Sequence, residues 1–233
     1  MSVLTKTKLT LADKHQETRD TVSFRFKSDE IKKWRPGQYL HYTLEHANPD
    51  SRGIERYFTI SSAPFEGYIQ ITTRLAENGS SFKKALRGLV VGGTIDADGV
   101  EGDFVVDDPA RKLVFIAGGI GVTPYRAILR AMDHAGVPAE VDLLYANRDE
   151  EFPFKGELEQ LAQRHSKLRI YYFSGSNRLD ERAIREVVGD LRKPAFYVSG
   201  PEPMVESFEK ILAVLSVPKL HVKADYFPGY KWP

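Results

Sequence analysis

A change of hydrophobic rhythm near residue 107 constrains this chain more than any other feature of it. Ahead of Asp107-Asp108-Pro109, apolar residues alternate with polar ones, as in Thr21-Val22-Ser23-Phe24-Arg25-Phe26 and Tyr68-Ile69-Gln70-Ile71-Thr72. Successive side chains of a strand point to opposite faces, so such segments bury one face and wet the other. Pro36-Gly37, Asn48-Pro49, Glu66-Gly67 and Asn78-Gly79 interrupt them at short intervals. Short strands punctuated in this way predict an antiparallel β-barrel or sandwich. The one helical-looking stretch in this half covers residues 81–86.

Beyond the boundary the apolar runs become continuous. Leu113-Val114-Phe115-Ile116-Ala117 reads as a strand buried on both faces. A glycine-rich turn follows, then helical spacing over 123–135 with Gly136 as a stop. Strands are expected again at 141–145, 169–173, 195–199 and near 220–224, with helices near 156–165, 180–188 and 204–215. Strands that alternate with helices predict a five-stranded, doubly wound parallel α/β sheet, since each parallel pair needs a crossover. The chain is therefore expected to hold two domains, residues 1–108 and 109–233.

Composition excludes more than it selects. Lys and Arg total 33 against 32 Asp and Glu, so no broad field steers the chain toward nucleic acid or an anionic membrane. No apolar run approaches the ~18–20 residues that span a bilayer. The N-terminus lacks a signal peptide's apolar core, and a cytoplasmic, monomeric protein is expected. Cysteine is absent, which removes disulfides and thiolate ligands, including those of an iron–sulfur cluster. The six histidines show no metal-ligand spacing, so no metal site is expected.

Gly118-Gly119-Ile120-Gly121-Val122-Thr123-Pro124 lies between the first strand and first helix of the predicted parallel sheet. Residues without side chains let the main chain approach a pyrophosphate, and the helix N-terminus offers free N–H groups. Pro124 suits a first helical turn. It also occupies the third glycine's place in GxGxxG, which disfavours a plain Rossmann dehydrogenase. Ser199-Gly200-Pro201-Glu202-Pro203-Met204 forms a second glycine turn after the fourth strand. In a 3-2-1-4-5 sheet the first and fourth strands flank the switch point, so both turns would face one crevice. Taken singly, the first turn reads equally well as a plain strand-to-helix connection, and the second reads better as one.

In the first half, Arg56-Tyr57-Phe58-Thr59-Ile60-Ser61-Ser62 gathers an arginine, aromatics and hydroxyls. As a strand it puts Arg56, Phe58, Ile60 and Ser62 on one face and Tyr57, Thr59 and Ser61 on the other. Arginine can fork onto phosphate oxygens, and an aromatic can stack on a flat ring. An ordinary barrel strand would show the same alternation. Arg35-Pro36-Gly37-Gln38-Tyr39 precedes the segment, and Asn78-Gly79-Ser80-Ser81-Phe82 opens the short helix after it. That helix start is a second place suited to phosphate.

In this order PGQY, RYFTISS, NGSSFKKAL, GGIGVTP and SGPEPM resemble the ferredoxin–NADP reductase-like flavoenzymes across nearly the whole chain. The resemblance implies FAD, with NADPH or NADH, as cofactors. It maps Arg56 to the FAD pyrophosphate, Phe58 to the aromatic stacked on the isoalloxazine, and Thr59 to the hydroxyl near its N5 atom. Ser62 takes the last hydroxyl position, and Tyr57 joins the cofactor-binding set. Thr73 and Arg74 match a strand end beside the flavin, and Gly79, Ser81 and Phe82 the helix start at its pyrophosphate. Gly119, Gly121, Thr123 and Pro124 match the nicotinamide nucleotide's loop, and Gly200, Pro201 and Met204 the signature beside the nicotinamide. The family's tyrosine, serine and cysteine are replaced here by Phe58, Thr59 and Ser199. Hydride transfer is expected to survive the last change, because orientation dominates such a step.

The function so implied passes electrons from a nicotinamide nucleotide through FAD to a separate acceptor. A ferredoxin, a flavodoxin, an oxygenase component or another redox partner would serve. A free flavin or quinone reductase and a redox-silent nucleotide-binding module are the alternatives. With no cysteine in this sequence, any iron–sulfur centre is expected on a partner. Ser174-Gly175-Ser176-Asn177-Arg178 offers hydroxyls and a cation without an acid, so Ser174 and Arg178 favour NADPH over NADH. In the tail, Asp225 and Phe227 match an acid–x–Phe ending near the flavin ring. Phe227 is expected to line the nicotinamide–flavin contact, with Asp225 a polar group nearby. Tyr230 or Trp232 could instead cover the flavin. Thr59, Ser199, Asp225 and Phe227 form the expected catalytic set.

Overall fold

The first strand, β1 (Thr7–Thr18), is long and mostly polar. Thr7, Leu9 and Leu11 are buried at alternate positions, after which the strand runs on with exposed or half-exposed residues. It pairs antiparallel with β2 (Thr21–Lys27), with register shifts at Leu11/Asp13 and Gln16/Thr18. Its first residues also pair with β6 (Thr94–Glu101), Thr7 opposite Ala97 and Leu9 opposite Ile95. With β3 (Tyr39–Thr43), β4 (Glu55–Thr59) and β5 (Ile69–Arg74) these make a six-stranded antiparallel sheet in the order β4-β3-β6-β1-β2-β5. The computed structural model describes residues 6–227.

The sheet curls until the chain leaving β4 reaches β5. Ser61 N donates to Gln70 O (2.9 Å), and the Ser62 hydroxyl donates to Tyr68 O (2.7 Å) while accepting from Gln70 N (3.1 Å). Two serines thus complete the barrel where the ladder would otherwise leave a gap. Inside, Phe24, Phe26, Leu40, Tyr42, Ile60, Ile71 and Leu86 form a continuous core. Each large apolar side chain buried there contributes roughly 1.5–3 kcal/mol against leaving it in water. The helix α1 (Ser81–Gly88) adds Phe82 and Leu86, four residues apart on one face, to that core. Ser80 caps α1, its hydroxyl accepting from Lys83 N (3.3 Å).

The chain divides into two compact units, Met1–Val105 and Val106–Pro233. The second contains β7 (Leu113–Gly118), α2 (Thr123–His134), β8 (Val141–Ala146), α3 (Lys155–Arg164), β9 (Leu168–Phe173), α4 (Glu181–Val188), β10 (Ala195–Pro201), α5 (Glu202–Val214) and β11 (Val222–Phe227). All strand pairs here are parallel, in the order β11-β10-β7-β8-β9. Numbered within the unit this is 3-2-1-4-5 read from its other edge. β7, β8 and most of β10 are buried throughout, which explains their unbroken apolar runs.

Helices α4 and α5 lay Ile184, Val188, Val205, Phe208 and Leu212 on Val114, Ile116 and Val198. From α2, Tyr125 stacks on Phe115 (centroids 4.6 Å apart), and its hydroxyl reaches the carbonyls of Tyr197 (2.7 Å) and Ile116 (3.1 Å). Arg126, buried, forks onto Glu157 of α3 at 2.8 and 2.9 Å. Among the described residues, no helix is long and apolar enough to cross a membrane.

Candidate functional site

In the first unit, Arg56, Phe58, Ser81 and Phe82 come together at the start of α1. β4 turns Arg56 and Phe58 to the same side. Phe58 lies 5.7 Å from Phe82 and 5.9 Å from Tyr42, half-buried at the edge of the core. The Arg56 guanidinium sits 5.5 Å from the Phe82 ring centre. Its Nη1 donates to the carbonyls of Arg52 (2.8 Å) and Gly53 (3.2 Å), and its Nη2 donates to Asp50 Oδ1 (3.2 Å). The other Asp50 oxygen accepts from Ser81 N (2.9 Å), the first amide of α1. Guanidinium and helix N-terminus therefore converge on one anion. Arg56 Nε is buried and has no partner among the described residues. Loss of solvent on burial, and then the charge of Arg52, lower the Arg56 pKa, while Asp50 opposes them.

The other residues expected at the flavin make contacts of their own within this unit. Tyr57 points to the opposite face of β4, 64% exposed, with its ring stacked 4.5 Å from that of His41. The Ser62 hydroxyl is used in closing the barrel, and Thr73 is buried opposite Val22. Arg74 pairs with Asp20 (3.2 Å), and its carbonyl accepts from Lys83 Nζ of α1 (3.1 Å). Gly79 closes a turn onto Ala76 O (2.9 Å) just before α1. Thr59 is buried opposite Tyr39.

In the second unit the two glycine turns meet at the carboxyl ends of β7 and β10. Gly119 adopts a left-handed φ of 53° and stays half-exposed, a conformation costly for any residue with a β-carbon. Gly121 differs from expectation. A β-carbon on it would lie 2.1 Å from Ser199 O and 2.7 Å from Gly200 Cα, so its missing side chain admits the neighbouring turn. Met204 is fully buried beneath both turns, its sulfur 2.9 Å from where a β-carbon on Gly200 would stand. Thr123 donates to Ile120 O (3.0 Å), and Pro124 is buried in the first turn of α2. Parallel register places Asp225 beside Ser199 and Phe227 beside Pro201. Ser199 is fully buried, and its hydroxyl has no hydrogen-bond partner among the described residues. Tyr230 and Trp232 lie outside the described residues.

The loop after β9 also differs from expectation. Ser174 hydrogen-bonds the Glu150 carboxylate, which arrives from the loop after β8, and Arg178 is exposed. Arg148, which could have offered a second cation, is paired with Asp149 (3.0 Å). An acid is therefore present beside this loop although the loop itself contains none.

Residues 8–106 match the family profile of the oxidoreductase FAD-binding domain, and residues 115–210 that of the oxidoreductase NAD-binding domain. The chain belongs to the ferredoxin–NADP reductase-like family. A flavohemoprotein of Burkholderia sp. (strain TH2) is 25% identical over 93% of this chain and 58% of its own length. The glycine betaine monooxygenase reductase subunit of Chromohalobacter salexigens is 27% identical over 84% of this chain and 57% of its own. The chain thus spans less than two thirds of these relatives. The fold is also that of the FAD/NAD-binding domain of nitric oxide dioxygenase from Vibrio cholerae O1 biovar El Tor. That structure superposes with a TM-score of 0.81 over 95% of this chain and 98% of its own, at 21% identity.

As a member of this reductase-like family, the chain binds FAD and a nicotinamide nucleotide, and its residues fit both groups. Asp50 demonstrates that Arg56 and the Ser81 amide accept an anion together, and Gly119 leaves main chain open at the mouth of the parallel sheet. Sequence reading missed Asp50 and His46, which belong to the Arg56 cluster. The signal for Asp50 was an acid set close before two arginines, Arg52 and Arg56, in a segment that otherwise reads as a turn.

Proposed function

We propose that this chain is an NAD(P)H-dependent flavoprotein reductase, preferring NADH, that delivers electrons to a separate acceptor. The observation that carries the reading is the convergence of the Arg56 guanidinium and the α1 N-terminus on one anion beside Phe58 and Phe82. In this reading residues 1–108 hold FAD. Arg56 and the Ser81 amide bind its diphosphate, Phe58 offers a ring face, and Thr59 supplies a hydroxyl. Residues 109–233 hold the nucleotide on the Gly119 and Gly200 turns, with Ser199, Asp225 and Phe227 beside the nicotinamide. Bound in this way, FAD supplies the capacity to take a hydride and release the electrons singly or as a pair. The protein's own task is to orient the two rings and keep water from them.

Glu150 supports NADH. A carboxylate that accepts from Ser174 would repel a 2′-phosphate but could accept from free ribose hydroxyls. The acceptor is proposed to be an oxygenase component, by analogy with the monooxygenase reductase subunit. The protein is proposed to act as a cytoplasmic monomer. Purified protein should be yellow and bleach with NADH faster than with NADPH. An acceptor panel should then show faster turnover with a protein partner than with free flavin or quinone. A colourless protein that neither takes up FAD nor alters NADH would be a redox-silent module and would sink this reading.

A further inference from the structure

A carboxylate of the chain itself lies where the flavin diphosphate is proposed to bind. Asp50 sits in the loop between β3 and β4, and both its ends are tied to the first residue of α1. Its carboxylate accepts from Ser81 N (2.9 Å), Arg56 Nη2 (3.2 Å) and Arg52 N (3.0 Å). Its own amide donates to Ser81 Oγ (2.9 Å). That hydroxyl is in turn 2.9 Å from His46 Nε2, and His46 Nδ1 is 2.7 Å from Leu44 O. The bonds form one consistent chain: His46 donates through Nδ1 to Leu44, leaving Nε2 to accept from Ser81. Amide hydrogen bonds from Ser81 and Arg52, then the charges of Arg56 and Arg52, hold the Asp50 carboxyl down at about 2.

We propose that Asp50 is a built-in counter-anion of the flavin site, one that holds Arg56 and the α1 N-terminus in place without FAD and releases both when the diphosphate arrives. This rests on the flavin assignment above. Without an anion, Arg52 and Arg56 would repel one another beside the positive end of a helix. Asp50 relieves that repulsion. A diphosphate needs the same donors, and two anions at hydrogen-bond distance from one amide exclude each other. FAD therefore replaces a resident carboxylate instead of filling a vacancy, and its affinity is lowered by the competition.

Asp50→Asn keeps an oxygen for the Ser81 amide and removes the charge. FAD-free protein would be titrated with FAD, following flavin fluorescence, and in parallel with riboflavin, which has no phosphate. The variant should bind FAD about tenfold more tightly and riboflavin unchanged. Equal or weaker FAD binding by a folded variant would overturn the proposal, since Asp50 would then be neutral or a positioning residue for Arg56. Tighter binding of both ligands would overturn it too, because the effect would not lie at the phosphates. Failure of the parent chain to bind FAD would instead remove the flavin assignment. Should the variant misfold, the carboxyl titration of Asp50 followed by ¹³C NMR in the parent decides. Its midpoint should rise when FAD binds and takes its donors, and an unchanged midpoint would overturn the proposal.

Discussion

Arg56 and Asp50 reach one another through rotatable side chains, whereas the Gly121 and Gly200 turns meet as bare main chain. A site built from side chains can be filled in advance, adjusted and emptied, because each member moves about its own bonds. A site built from main chain is set by the fold, and the same contacts that shape it also hold β7 against β10. Substitutions in the first unit's site should therefore change affinity before stability. Substitutions in the second unit's turns should change stability first.

The largest expected effect is at Gly121. A β-carbon there meets the Ser199 carbonyl, which has no free bond to rotate away, so Gly121→Ala should cost about 3 kcal/mol or more. A denaturant melt of the second unit would read it, and a parent-like melt would break the contrast between the two sites. Arg56→Ala comes next and should act on the ligand more than on the fold. Losing a charge-assisted phosphate contact should weaken FAD binding about ten- to a hundredfold, or roughly 1.5–3 kcal/mol. Flavin retained after desalting measures this, and a folded variant with parent retention would remove Arg56 from the site.

Phe227→Ala tests where the main-chain site ends. Phe227 is only half-buried, so about 1–2 kcal/mol of stability should be lost. A core phenylalanine would cost ~3–5 kcal/mol. Stopped-flow reduction by NADH should slow in the same variant, and a core-sized loss with parent kinetics would make the tail purely structural. The smallest effect is expected for Glu150→Gln, on the exposed rim of the second unit. Removing one screened surface charge should shift the NADH-to-NADPH ratio of kcat/KM toward NADPH by ~0.5–1 kcal/mol, or a few-fold. An unchanged ratio would place Glu150 away from the ribose.

The second unit's architecture was readable because its strands are buried on both faces and announce themselves as apolar runs. β1 was not. Its alternation stops at Leu11, and the rest of the strand is carried by pairing and register shifts, which leave no periodic trace. β6 was equally silent, with Ile95 and Ala97 buried among acids and glycine. At the sites, Arg56, Ser81 and Phe82 were legible as residue types at a strand and a helix start. What they touch was not. Asp50 meets Ser81 across 31 residues and Glu150 meets Ser174 across 24, distances that only the folded chain closes. Local sequence points Gly121 toward ligand approach for the same reason, since it cannot reveal that another turn fills the space.

The strand order of the first unit also bears on the order in which it can be assembled during synthesis. β6 is the last of its six strands to be made, yet it lies between β3 and β1. Serine-mediated joining of β4 to β5 links residues only 8 or 9 apart, whereas Lys8 of β1 must find Asp96 of β6 across 88. Each doubling of a closed loop costs about 0.6 kcal/mol in chain entropy, so the later pairing is dearer by about 2 kcal/mol. A nascent chain that stops short of residue 94 would present β3 and β1 as two open edges, the condition under which strands of separate chains join. Pauses in translation just before β6 would therefore be the moment at which this protein most needs a chaperone.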